Sequence, residues 1–174
     1  MSPGLEKNDI ARFLLCSSIL EERVYKAYDS LAERVTNTQI STLLHSIAVD
    51  SKKHSLLLKV LSESIEKVNQ TEIDCSELMG DAWNKLEKLA RTEVYSVPEK
   101  SDLFGLIKDM SAFESYLGEE YFSATQLILI ELSLKESSLE HNQIKTIIDW
   151  IIEDEERHVK IIQAISTIVS KGYV

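Results

Sequence analysis

Apolar positions recur along this chain at spacings of three and four, the mark of helices that bury one face. In the first segment the stripe takes in Leu14, Ser17, Glu21, Val24, Tyr25, Tyr28, Leu31, Ala32 and Val35. In the second it takes in Ile40, Leu43, Leu44, Ile47, Ser51, His54, Leu58 and Leu61. The short link Thr36-Asn37-Thr38 offers a cap for the second helix and implies an antiparallel pair. The pattern predicts helices over about residues 8–36, 39–68, 77–95, 102–134 and 143–171. Pro98 breaks the third, a polar loop over Lys135–Asn142 separates the last two, and Gly172 is a plausible stop. Two long helices, a connector carrying a shorter helix, and two more long helices predict an all-α fold, an antiparallel four-helix bundle with one long crossover, in a single domain over 1–174.

Composition narrows the picture. Only 5 Gly and 2 Pro in 174 residues argue against a sandwich or barrel, which needs frequent turns. Lys and Arg number 19 against 29 Asp and Glu, a formal charge of −10 that repels phosphate backbones and speaks against nucleic acid as a partner. No apolar run is long enough to span a membrane, and the N-terminus does not read as a signal peptide. Two cysteines, Cys16 and Cys75, do not make a disulfide framework; Cys16 reads as a small buried hydrophobe, and the expected setting is a reduced cytoplasm.

Candidate chemistry comes from acids and histidines inside the apolar stripes. Glu21 precedes Tyr28 by two helical turns, and Glu114 precedes Tyr121 by the same interval. Glu155 and His158 stand at i and i+3, so both reach one point. Around these positions the two halves align without gaps. Glu21–Tyr28 lies over Glu114–Tyr121, and Ile47–His54 lies over Ile151–His158, a weak internal repeat of a helix pair. Ser51 therefore stands where the repeat has Glu155, and His54 where it has His158.

On these residues the chain resembles the ferritin-like superfamily and, within it, the rubrerythrin-type branch. That pattern has one Glu on each of two helices and a Glu-x-x-His on each of the other two. The resemblance spans about Asn8 to Lys171. It implies metal ligands at Glu21, His54, Glu114, Glu155 and His158, with iron as the metal or manganese as a second choice. It also implies an oxidoreductase acting on peroxide or dioxygen, or a ferroxidase that handles iron, and a homodimer. No rubredoxin-like segment is present, so electrons would come from an external donor.

The sequence departs from the family at Ser51, which leaves three carboxylates where the pattern has four. Three outcomes stay open. Asp50, at i−4 from His54, substitutes as a ligand; a water or hydroxide on Ser51 fills the gap; or one metal is lost and a mononuclear site remains. Tyr28, Ser51, Tyr121 and Asp154 are expected just outside the ligands, with Asp154 on a histidine ring of the other helix. His45 and His141 read as solvated, and Trp83 and Trp150 as packing residues. The alternative function is a non-catalytic helical bundle with a degenerate or mononuclear metal site.

Overall fold

A computed structural model describes residues 7–69, 73–81, 83–85, 107, 109–119, 123 and 139–172, with residues 139–142 described by backbone only. Every regular element among them is helical. We label them α1 (Lys7–Arg34), α2 (Thr38–Ile65), α3 (Cys75–Met79), α4 (residues 109–119) and α5 (Leu139–Ser170).

Helices α1 and α2 form a close antiparallel pair. Asn37 ends the turn between them and caps α2, its Oδ1 accepting from Gln39 N at 3.0 Å and Ile40 N at 3.1 Å. Serine hydroxyls tie the pair at close approaches: Ser41 to Ala32 O, Ser18 to Ser55 O and Ser62 to Ala11 O, at 2.8, 2.9 and 2.7 Å. Between these ties Leu14, Leu20, Leu31, Ile40, Leu44, Ile47 and Leu58 are almost fully buried. Each such side chain contributes roughly 1.5–3 kcal/mol by leaving water. The predicted stripes match this core, with Tyr25, Val35 and Leu43 only partly covered.

The expected α3 is shorter and earlier than the periodicity suggests. Asp74 caps it, accepting from Ser76 N and Glu77 N, and Gly80 closes it at φ 50°, a conformation that favours glycine. Helical backbone resumes at 83–85; the remainder of the 77–95 expectation lies outside the described residues. So do most of 102–134 and the first part of the expected 135–142 loop. The last part of that loop is instead the first turn of α5, which starts at Leu139. Nothing between 135 and 142 is Gly or Pro, so nothing stops the helix from starting early. At its other end Gly172 adopts φ 77°, as a helix stop requires.

Two sequence expectations are corrected. Cys16 and Cys75 are disulfide-bonded, with Cα atoms 5.4 Å apart, so Cys16 is not a free buried thiol. The pair is brought together by α3 docking on α1, a contact that two cysteines 59 residues apart do not announce. Disulfides persist chiefly in oxidising compartments, which does not favour the reduced setting expected from the cysteine count. No helix among the described residues is long and apolar enough to cross a membrane. Trp83 is buried beneath the Arg23 guanidinium, as a packing residue should be, but Trp150 is 56% exposed and packs little.

Candidate metal centre

Glu21, Ser51, His54, Glu114, Glu155 and His158 are each no more than 1% exposed, although they come from four helices. Neighbouring acids show how sharply the faces divide. Glu22 points outward to Lys52 at 2.6 Å, while Glu21 points inward to His54 Nδ1 at 3.8 Å. The faces that bury Leu14, Leu20 and Leu31 on α1, and Ile47 and Leu58 on α2, carry these polar groups into the same interior.

The buried groups fall into two overlapping sets. Glu21, His54 and Glu155 offer ligand atoms within 4.8 Å of one another, and so do Glu114, Glu155 and His158. Glu155 belongs to both. Its Oε1 lies 3.3 Å from His54 Nδ1 and its Oε2 lies 3.4 Å from His158 Nδ1. His158 Nδ1 also meets Glu114 Oε2 at 3.2 Å. Tyr28 donates to Glu114 Oε1, fixing that carboxylate from α1. Tyr121 lies outside the described residues.

Polar atoms buried here lack the partners expected of them. Ser51 Oγ, His54 Nδ1, both Glu155 oxygens and His158 Nε2 make no hydrogen bond among the described residues. Unpaired buried acceptors are costly and are usually explained by an ion or by protons. The donor set, carboxylate oxygens and imidazole nitrogens, suits iron, manganese or zinc better than soft metals. The residues present therefore fit a bound divalent cation at either set.

Without a metal, protons take its place. Burial alone would push His54 down, but the Glu155 and Glu21 carboxylates outweigh it and hold the imidazole up at about 10. His158 is held up at about 11, burial again being outweighed by Glu114 and Glu155. Burial and the Glu155 charge raise Glu114 to about 7.

The outer ring nitrogens face acids on the opposite helix. His54 Nε2 meets Asp154 Oδ2 at 3.0 Å, as the sequence suggests, and His158 Nε2 faces Asp50 Oδ2 at 3.5 Å. Asp50 thus sits on the outer side of His158, and neither set includes it. Lys53 bonds Asp50 and Asp154 at 2.8 and 2.6 Å, and Arg157 bonds the same two acids at 2.8 and 2.6 Å. The sequence reading missed this lattice, although the repeat held the signal: Asp50, Lys53 and His54 align with Asp154, Arg157 and His158. His45 pairs with Asp29 on a half-exposed surface, and the His141 side chain lies outside the described residues.

A cavity of about 490 Å³ opens between α4 and α5 and reaches Glu114 and Glu155. The chain matches no family model, no curated protein and no solved structure.

Proposed function

We propose that this protein is a ferritin-like, rubrerythrin-like four-helix bundle that binds two iron or manganese ions and reduces peroxide or dioxygen, with ferroxidase activity as a close variant. The observation that carries the reading is Glu155, a buried carboxylate shared by two ligand sets whose other members are Glu21 with His54 and Glu114 with His158. A redox metal held there would supply electron transfer to a small oxidant. The chain's own residues hold it, orient the histidines through Asp50 and Asp154, and keep bulk water away through burial. The electron donor would be a separate protein, and the working form a homodimer.

A second reading rests on Ser51. With a serine opposite Glu155, three carboxylates face two divalent cations, and a mononuclear or degenerate site without turnover becomes the alternative. Metal analysis after mild purification and anaerobic reconstitution separates the two. Two ions per chain support the dinuclear reading, one supports the mononuclear reading, and none overturns both.

A further inference from the structure

The cavity between α4 and α5 touches one ligand set and not the other. Glu114 and Glu155 line it, whereas Glu21 and His54 do not. Its walls are apolar where Ile152 and Val159 face Gly118. A side chain at Gly118 would begin at ordinary contact distance, 3.5 Å from Glu155 Cβ, so the glycine leaves that wall bare. At about 490 Å³ the space far exceeds what dioxygen or peroxide needs. It falls in the range of roughly 300–1,000 Å³ that holds organic ligands. Among the described residues the exposed lining includes Glu119 and Glu156 against Lys160, one excess negative charge at the mouth. Such a concavity concentrates cations.

We propose that this cavity binds a small organic molecule whose apolar body lies against the Glu114–Glu155 edge and whose single cationic group sits at the Glu119–Glu156 mouth. The proposal rests on the metal-centre reading for the role of that edge and deepens it by naming a substrate class. Occupancy of the pocket does not itself require metal. Bound metal, or the His54 and His158 imidazoles in its absence, balances the inner carboxylates, so Glu119 and Glu156 supply the preference for positive charge.

Benzylamine, benzyl alcohol and benzoate share a shape and differ in charge, so they serve as probes. Ligand-observed NMR on the metal-reconstituted and metal-free protein should rank benzylamine first, about tenfold tighter than benzyl alcohol, with benzoate weakest. Glu156→Gln should move benzylamine toward benzyl alcohol. Gly118→Leu and Ile152→Trp, which fill the cavity from opposite walls, should each weaken benzylamine about tenfold or more in the metal-free protein; two plugs guard against one failing to fold. Equal affinity for the three probes, no binding of any, or unchanged binding in a folded plugged variant overturns the proposal. Metal uptake without probe binding sinks the pocket alone. Probe binding in the expected order without metal uptake sinks the metal reading and leaves the pocket.

Discussion

His54 Nε2 lies 3.0 Å from Asp154 Oδ2, so the imidazole on α2 is oriented by an acid on α5 while its Nδ1 faces Glu21 and Glu155. Lys53 and His54 hold Asp154 down at about 2 against the upward push of burial, so the acid is charged at any working pH. A charged acceptor on the outer nitrogen fixes the tautomer that leaves Nδ1 free to ligate. Asp154→Asn should therefore weaken metal binding by about 10–100-fold, read by competition with a chromogenic chelator. Asp50→Asn should cost less, because its 3.5 Å approach to His158 is longer and Arg157 shares the same oxygen. Equal losses, or none, would show that the ring partners do not tune the site.

Ser51 gives the sharpest test of how far the ligand set is complete. It is buried, its hydroxyl has no hydrogen-bond partner among the described residues, and it stands one turn before His54 as Glu155 stands before His158. Ser51→Glu should raise metal content toward two ions per chain if the native protein holds fewer. In metal-free protein the same change should lower the melting temperature, because a fourth buried carboxylate joins three that only two imidazoles compensate. Unchanged metal content and unchanged stability together would mean that position 51 does not face the centre.

Much of this was legible in the sequence because two physical patterns coincide. Helical spacing puts Glu21 and His54 among leucines and isoleucines, and only a buried partner makes such placement tolerable. The internal repeat then matches His54 to His158 without any contact being known. What stayed hidden depends on tertiary docking. The Cys16–Cys75 bond depends on α3 folding back on α1, which no local pattern encodes. Aromatic residues usually pack, yet Trp150 sits on the outer face of α5 at 56% exposure. The cavity beside Gly118 is a property of how α4 approaches α5, and a single glycine in a helix carries many meanings.

The pH dependence of the metal-free protein follows from the two imidazoles. Their folded values, about 10 and about 11, stand above the ordinary 6.5. A raised value means that the protonated form is stabilised by folding. That stability is complete below about pH 6.5 and is lost as pH climbs toward 10 and 11. Glu114, raised from 4.5 to about 7, has the same sign at lower pH. Calorimetry of metal-free protein should show the melting temperature falling steadily from pH 7 to pH 10. Metal must displace these protons, so its apparent affinity should rise over the same range. A flat melting profile would mean that the histidines are not the groups that balance the buried acids.

Glu114 is held from two sides, by Tyr28 on α1 and His158 on α5. Tyr28→Phe removes the hydroxyl and keeps the ring, which is 1% exposed and part of the core. Leaving a buried carboxylate oxygen without its donor should cost about 1–3 kcal/mol in the metal-free protein. With metal bound, the cation itself satisfies the carboxylate, so the loss should shrink. Urea denaturation with and without Mn²⁺ compares the two. A larger loss in the metal-bound protein would mean that Tyr28 serves bound metal rather than the empty ligand set.

The Cys16–Cys75 bond closes a loop across a sequence separation of 59 that contains all of α2 and the buried acid of α1, Glu21. On a chain-entropy account such a closure destabilises the unfolded state by on the order of 4 kcal/mol, with about 2–4 commonly realised. Cys16→Ser with Cys75→Ser should lower the melting temperature on the order of 10 °C for a chain of this size. Metal content should survive the double change at lower temperature. Glu21 lies more than a helical turn beyond Cys16, and it is positioned by Leu20 and Val24 packing against α2, not by the connector. The measurement is a pair of melting curves and metal analyses on the wild-type and double-serine proteins at matched pH. An unchanged melting temperature would show that the connector contributes nothing to the folded state. Loss of metal at a temperature where the variant remains helical would show that α3 docking sets the position of Glu21 after all.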